Sequence, residues 1–429
     1  MALADGEHGN GTRGGAGKEG KPVVDGEGKL LFEAEQRDPD DREFGYLKGQ
    51  RRERLRFSWK DMSRWQHKRM VLSLVLVIGL GLAFLAGACA HVYTANQASE
   101  KSWDDYMGQE TRAQNQQRYD ELAASGRMDD ATHVRCAVYL SQVHSIDMAN
   151  SSYQVSVIAG YRWTGEASYD FSHPGTVTFY RGVVNQTSVM DESHEGGTNY
   201  QLVKYVVTIT KDYDTTCFPL GKHLMRIILE PGQGVDKLVF EPDADASGAN
   251  RDLDVSGFNL TNYGVTRVVY EFDHDLLNPS TDSFGDEKNY KTEVMAAFTM
   301  ERADVGMYFE CFIALFGTLA WIILCLYICT YRRIDPLTMI SAAFFGAVSN
   351  VLAGAAKVPL SLSFGLLIYG NLFGIALIIA GTAIVISINT LRKDIGSRAF
   401  AHYYGRLMMK VFIVMAVVGN IALPLCAVL

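Results

Sequence analysis

The sequence predicts an α+β membrane protein: an antiparallel β-sandwich ectodomain followed by a four-helix transmembrane bundle, plus one N-terminal transmembrane helix. Three observations carry this reading. Five apolar stretches are long enough to cross a bilayer, they are split one plus four around a long polar insert, and the insert contains short segments that alternate with period two.

The apolar stretches cover residues 70–93, 307–330, 337–356, 364–388 and 407–429. Each supplies about the 20 apolar residues that a helix needs to span a ~30 Å hydrocarbon layer. A helix in lipid must satisfy its own backbone polar groups, so stretches this long and uncharged read as spanning segments.

Basic residues set the expected orientation. Residues 48–69 are dense in Lys and Arg, Arg332 and Arg333 separate the second and third stretches, and Arg392, Lys393, Arg398 and Arg406 separate the fourth and fifth. If the helices alternate, all three clusters share one side, and the positive-inside rule makes that side cytoplasmic. The N-terminus is then cytoplasmic, with residues 94–304 and the C-terminus extracytoplasmic, in a plasma or cell membrane. The insert is predominantly acidic, and the net charge of −8 averages basic and acidic regions. An acidic ectodomain gives no purchase to nucleic acid, whose phosphates need Lys and Arg.

Residues 1–47 are rich in Gly and charge, lack apolar periodicity and are expected to be a disordered tail. The basic juxtamembrane segment 48–69 follows, either a topology determinant or a contact for anionic lipid. The stretch 70–93 then reads as a signal anchor, although the small residues at 86–90 leave cleavage open. Residues 94–130 are polar and Gln-rich and are expected to continue as a helical stalk.

From residue 131 to 304 the pattern is that of strands. Tyr153, Val155, Val157, Ala159, Tyr161 and Trp163 alternate with more polar neighbours, as do Tyr290, Thr292, Val294, Ala296, Phe298 and Met300. Further segments at 134–143, 176–181, 201–211, 223–230, 236–241 and 264–273, separated by Gly, Asn, Asp and Pro, complete a sandwich pattern. Residues 305–429 form the helical block.

Cys136 and Cys217 are the two of seven cysteines that fall within the insert. In an oxidising compartment they are candidates for a disulfide; the alternative is two separate buried thiols. Asn150, Asn185 and Asn259 head N-x-Ser/Thr triplets, glycosylation acceptors only in a eukaryotic secretory route.

Catalytic chemistry is sparse. His133, His144, His173, His194, His223 and His274 are scattered, with no HExxH and no Cys/His pairing for zinc. No Ser sits in G-x-S-x-G. Glu241, Asp243, Asp245, Asp252 and Asp254 lack the Gly and terminal Glu of a calcium loop and read as a solvated acidic segment. Glu310 is an ionisable residue drawn into an apolar stretch, close to its end. No enzyme, metal or cofactor is expected.

Strands running directly into four helices resemble the pentameric ligand-gated (Cys-loop) channel architecture. Trp163 ends a strand where that family has a Trp, Cys217-Phe218-Pro219-Leu220-Gly221 stands where the family has an aromatic-Pro-Phe-Asp loop, Arg302 ends the last strand, and Tyr308 opens the helical block. The resemblance implies that Phe218, Pro219, Leu220 and Arg302 couple ectodomain to membrane domain. Three features depart from it: Gly221 replaces the Asp, the segment between Trp163 and Phe218 is short and lacks a Trp-x-Pro element, and the helix at 70–93 is extra. The complete layout is also similar to an uncharacterised membrane family of actinobacteria and some protists. That family shares the N-terminal anchor, the aromatic-Pro loop and a connector like Lys357-Val-Pro-Leu-Ser-Leu-Ser-Phe-Gly365. It implies architecture without mechanism.

A pore-lining role for the second helix of the block would use Asp335, Thr338, Ser341, Phe345 and Ser349, which follow helical spacing. Ala342, Ala343, Gly346, Ala347, Ala353, Gly354 and Ala356 on the same segment favour close helix packing instead. The expected function is a non-enzymatic sensor or binding protein, with a pentameric ligand-gated channel and an adhesion or scaffold subunit as alternatives. The expected partners are the bilayer, a homo-oligomer, and an extracytoplasmic ligand or protein of unspecified kind.

Overall fold

The computed structural model describes residues 57–165, 169–250, 252–253, 255, 257–272, 289–303, 305–332, 334–355 and 364–429. The expected tail at 1–47, the first part of the basic segment, Asp254, His274, Arg333, Ala356 and the connector from Lys357 to Ser363 lie outside the described residues. Among the described residues the chain is mixed α/β, with two sheets and five helices long and apolar enough to cross a membrane.

Helix α1 (Arg64–Met107) starts at a capping box. Ser63 Oγ accepts from the Gln66 N–H at 3.3 Å, and Gln66 Oε1 accepts from the Ser63 N–H at 2.9 Å. It is far longer than its apolar part, because the polar residues that follow continue the helix. The axis breaks at Gly108, where a Cβ would stand 2.3 Å from the Asp104 carbonyl oxygen, and α2 (Gln109–Ala124) follows. The polar segment expected as a stalk therefore lies along the second sheet. Trp103 and Met107 pack with Leu224, Ile228, Met295 and Ala297. Tyr119 on α2 donates to Glu241 Oε1 at 2.9 Å, and the Arg267 guanidinium lies 3.6 Å from its ring centroid.

Ten strands follow among the described residues: β1 (Thr132–Asp147), β2 (Ser152–Thr164), β3 (Val177–Phe179), β4 (Gly182–Glu195), β5 (Thr198–Thr210), β6 (His223–Pro231), β7 (Leu238–Pro242), β8 (Gly248–Ala249), β9 (Phe258–Phe272) and β10 (Asn289–Arg302). One sheet has the order β4-β5-β2-β1-β7 with β8 also beside β1, and the other β3-β6-β10-β9. The second sheet is antiparallel throughout, but β7 and β8 pair parallel to β1. The all-antiparallel expectation is corrected here. The chain reaches β7 from β6 in the other sheet, by a crossover instead of a hairpin, and so enters alongside β1 in its own direction.

Alternating side chains of both sheets meet in one apolar core. Tyr161 stacks on Phe171 at 4.1 Å, and Tyr153 meets Phe298 edge-on at 6.4 Å. The buried hydroxyls have partners: Tyr205 donates to the Phe171 carbonyl at 2.6 Å and Tyr153 to the Arg226 carbonyl at 2.5 Å. Such pairing offsets the cost of placing a hydroxyl in an apolar interior.

Four helices follow among the described residues: α3 (Gly306–Tyr327), extended by a π-turn (Ile328–Arg332), then α4 (Leu337–Ala355), α5 (Leu366–Lys393) and α6 (Arg398–Val428). Small residues bring them close. A Cβ on Gly346 of α4 would stand 2.6 Å from Thr318 of α3, and one on Gly374 of α5 would stand 2.2 Å from Leu315 of α3. Asn350 on α4 donates to Asn371 on α5 at 2.8 Å. Helix α1 joins this block, with Ser73 Oγ accepting from Tyr404 of α6 at 3.0 Å and Phe84 stacked against Phe373 of α5. Large apolar side chains point outward, Leu80 at 66% exposure and Ile313 at 66% among them. Surface of that kind is matched by hydrocarbon.

Candidate functional site at the sheet–helix junction

The loop between β5 and β6 binds the sheets to the helices. Its own turns are closed by Phe218 N–H to the Thr215 carbonyl at 3.0 Å and Leu220 N–H to the Cys217 carbonyl at 2.9 Å, with a cis Phe218–Pro219 bond between them. Asp214 Oδ1 accepts from the Thr216 N–H at 2.9 Å, and Tyr213 donates to the Ser152 carbonyl at 3.1 Å. Phe218 and Pro219 are buried and Leu220 half-buried.

Two helices receive this loop. The Thr216 carbonyl accepts from the Leu366 N–H at 2.7 Å. Leu366 opens α5, so the bond satisfies one of the donors that every helix leaves free at its N-terminus. Gly365 makes the approach feasible, since a Cβ there would stand 2.2 Å from the same carbonyl oxygen. On the other side, Cys217 Sγ donates to the Val92 carbonyl of α1 at 3.6 Å, and Ser99 Oγ donates to the Lys222 carbonyl at 3.0 Å. Val92, Phe218 and Leu366 belong to the same contiguous apolar core that fills the space between the sheets.

Charge is concentrated around the contact. Lys222 Nζ lies 3.3 Å from Glu100 of α1 and 3.7 Å from Glu301 of β10. These pairs are partly solvated and contribute at most ~1 kcal/mol each. Beside them is a cavity of ≈ 330 Å³ whose walls include Ser99, Trp103, Asn262 and Thr299. The guanidinium of Arg302 sits 4.0 Å from the Phe258 ring centroid. His223 is buried at the start of β6, edge-on to Tyr213 at 5.3 Å. Burial, reinforced by Lys211 and Arg302, pushes its pKa down to about 3, so it stays neutral. Burial and then Arg226 lower Lys211 to about 8.

The residues singled out from sequence thus fall in several places. Phe218, Pro219, Leu220 and Arg302 stand at the sheet–helix junction. Cys136 and Cys217 are both free thiols: Cys136 Sγ donates to the Val134 carbonyl inside the first sheet, and Cys217 turns to α1. The disulfide alternative is not formed. Asn150, Asn185 and Asn259 are exposed, although the side-chain amides of Asn150 and Asn185 already donate to Asp147 and Thr208. Thr338, Ser341, Phe345 and Ser349 lie along one exposed face of α4, and Asp335 pairs with Lys393 at 3.5 Å. Ala343, Ala347 and Gly354 are buried on the opposite side of that helix.

Sequence reasoning missed Thr216, Val92, Glu100, Lys222 and Gly365 as parts of the junction. Gly365 alone had a local signal, as a glycine directly before an apolar run. The rest meet only through tertiary packing. No protein-family model matches the chain, and no curated protein matches it.

Proposed function

We propose that this chain is a non-enzymatic membrane protein in which a sandwich formed by the two sheets binds an extracytoplasmic ligand or partner. The helical block is rigidly coupled to that domain. In this reading the N-terminus is cytoplasmic and the sheets lie outside, the orientation that the basic loops favour under the positive-inside rule. Phe218, Pro219 and Leu220 form the apolar knob of the coupling, and Arg302 braces the strand that leads into α3. The observation that carries this reading is the Thr216–Leu366 hydrogen bond, a direct backbone link between a sheet loop and a membrane-length helix.

The test is Phe218→Ala in the full chain in mild detergent. Loss of a buried Phe costs about 3–5 kcal/mol, so a lower melting temperature and faster proteolysis near residues 211–222 are expected. Unchanged stability and unchanged cleavage would refute the coupling.

One observation favours a second reading, a pentameric ligand-gated channel. Thr338, Ser341 and Ser349 share the exposed face of α4 with Phe345, which is 71% exposed. A hydroxylated face left open within one subunit is what a ring of subunits would turn toward its axis. Ligand-evoked current in proteoliposomes, with a pentamer in native mass spectrometry, supports this reading; a monomer without current excludes it.

A further inference from the structure

We propose that the end of the helical block where α3 finishes and α6 begins holds a binding site for a phosphate-bearing anion. Three elements meet there. The π-turn after α3 supplies Cys329 and Thr330, α5 supplies Asn389 and Arg392, and α6 supplies His402, Gly405 and Arg406. Named contacts fix the proximity of all of these except Arg406, which directly follows Gly405 on α6. Cys329 Sγ donates to Asn389 Oδ1 at 3.7 Å, Arg392 Nη2 donates to the Cys329 carbonyl at 2.5 Å, and His402 Nδ1 donates to the Thr330 carbonyl at 3.1 Å. Thr330 Oγ1 lies against Gly405, where a Cβ would be 2.6 Å away.

Within this cluster three buried polar atoms have no hydrogen-bond partner: Thr330 Oγ1, Asn389 Nδ2 and Arg406 Nε. Thr330 is 2% exposed and Asn389 8%. All three can donate. Leaving such a group buried and unmatched is costly, more so for a charged one, and a cluster of them is missing acceptors. The guanidiniums of Arg392 and Arg406 make the surroundings positive, and Asp335 is already paired with Lys393. A phosphate offers several acceptor oxygens with negative charge, and Arg recognises it through directed N–H bonds. The π-turn at the centre of the cluster is itself a local departure from α-helix that recurs at functional sites. Arg332, Lys393 and Arg398 flank the cluster in sequence, Tyr331 meets the His402 ring edge-on at 5.4 Å, and Tyr327 lies 4.9 Å from Tyr331, a basic and aromatic content usual at a membrane–water boundary. Such a phosphate could be a lipid headgroup or a soluble anion. The site is independent of the sheet–helix coupling.

The full chain is placed in nanodiscs of phosphatidylcholine alone or with added phosphatidic acid. Bound lipid is measured by native mass spectrometry, and melting temperature is read in parallel with and without inorganic phosphate. Selective retention of phosphatidic acid is expected, falling about tenfold, or 1.4 kcal/mol, in Arg406→Gln and in Thr330→Val. Stabilisation by inorganic phosphate in phosphatidylcholine, lost in the same variants, supports the site with a soluble source. Thr330→Val retains the shape of the side chain, so its melting temperature in phosphatidylcholine should not fall. Equal retention of both lipids without any phosphate effect, or wild-type binding by both variants, overturns the proposal.

Discussion

The Leu366 N–H donates to the Thr216 carbonyl at 2.7 Å, joining the first turn of α5 to the loop that leaves β5. The contact is between two backbones, and Gly365 is what permits it. An alanine at 365 would force that carbonyl away, an overpacking cost of about 1–3 kcal/mol. Gly365→Ala should therefore lower the melting temperature by a few degrees. Gly79→Ala is the control, because nothing lies within 4 Å of a Cβ at that position of α1. Differential scanning fluorimetry of both variants checks the prediction, and equal melting temperatures would contradict it.

His223 predicts acid sensitivity. Its folded pKa is held near 3 by burial and by Lys211 and Arg302, against an ordinary value of 6.5. Between those values the unfolded chain binds the extra proton, so stability is full above about pH 6.5 and is lost as pH falls toward 3. Asp214 faces the same group and opposes the shift. His223→Phe should flatten the fall in melting temperature between neutral pH and pH 4.5. A parallel fall in wild type and variant would show that the acid limb arises elsewhere.

Glu293 acts in the opposite direction. It is buried on β10, and burial followed by Glu230 raises it from 4.5 to about 8, with Lys291 opposing. Here the folded state holds the proton over that interval, so stability falls as pH rises from about 4.5 to 8. Glu293→Gln should be nearly neutral at pH 5 and more stable than wild type at pH 8.5, by a few kcal/mol at most. Melting curves at the two pH values decide it; an equal effect at both would argue against the buried-acid account.

The thiol of Cys217 reports on the junction. It is buried, bonded to the Val92 carbonyl, and raised to about 12 by burial and then by Asp214. Maleimide should modify it slowly in the native chain and at least about tenfold faster in Phe218→Ala, since modification follows thiolate fraction and access. Peptide mapping without reductant should find Cys136 and Cys217 unlinked. A linked peptide would contradict the free-thiol arrangement.

Much of the architecture was legible because it rests on local patterns. Long apolar runs marked the helices, and alternation marked β2 and β10. The helix limits were less legible: α1 and α6 begin before their apolar runs, since Arg64–Arg69 and Arg398–Arg406 extend each helix beyond them. Strand β4 was missed because it is an edge strand with mostly exposed side chains on both faces, so no alternation is imposed on it. The parallel pairing of β7 with β1 depends on a crossover that no local signal encodes. At the junction, the Phe218-Pro219-Leu220 knob stood out by residue type. Its receptors on α1 and α5 did not, because a backbone carbonyl such as Val92 O carries no side-chain signature. The donors Thr330, Asn389 and Arg406 were hidden for a different reason, being far apart in sequence.

The most direct measurement of the central claim is hydrogen exchange by mass spectrometry across residues 364–372 in the full chain in nanodiscs. If the sheet loop caps α5, the Leu366 amide is protected in wild type. Phe218→Ala should then accelerate its exchange at least about tenfold, a loss of 1.4 kcal/mol, while residues 380–390 keep their protection. Exchange at Leu366 that is already fast in wild type, or unchanged by Phe218→Ala, would contradict a coupled junction.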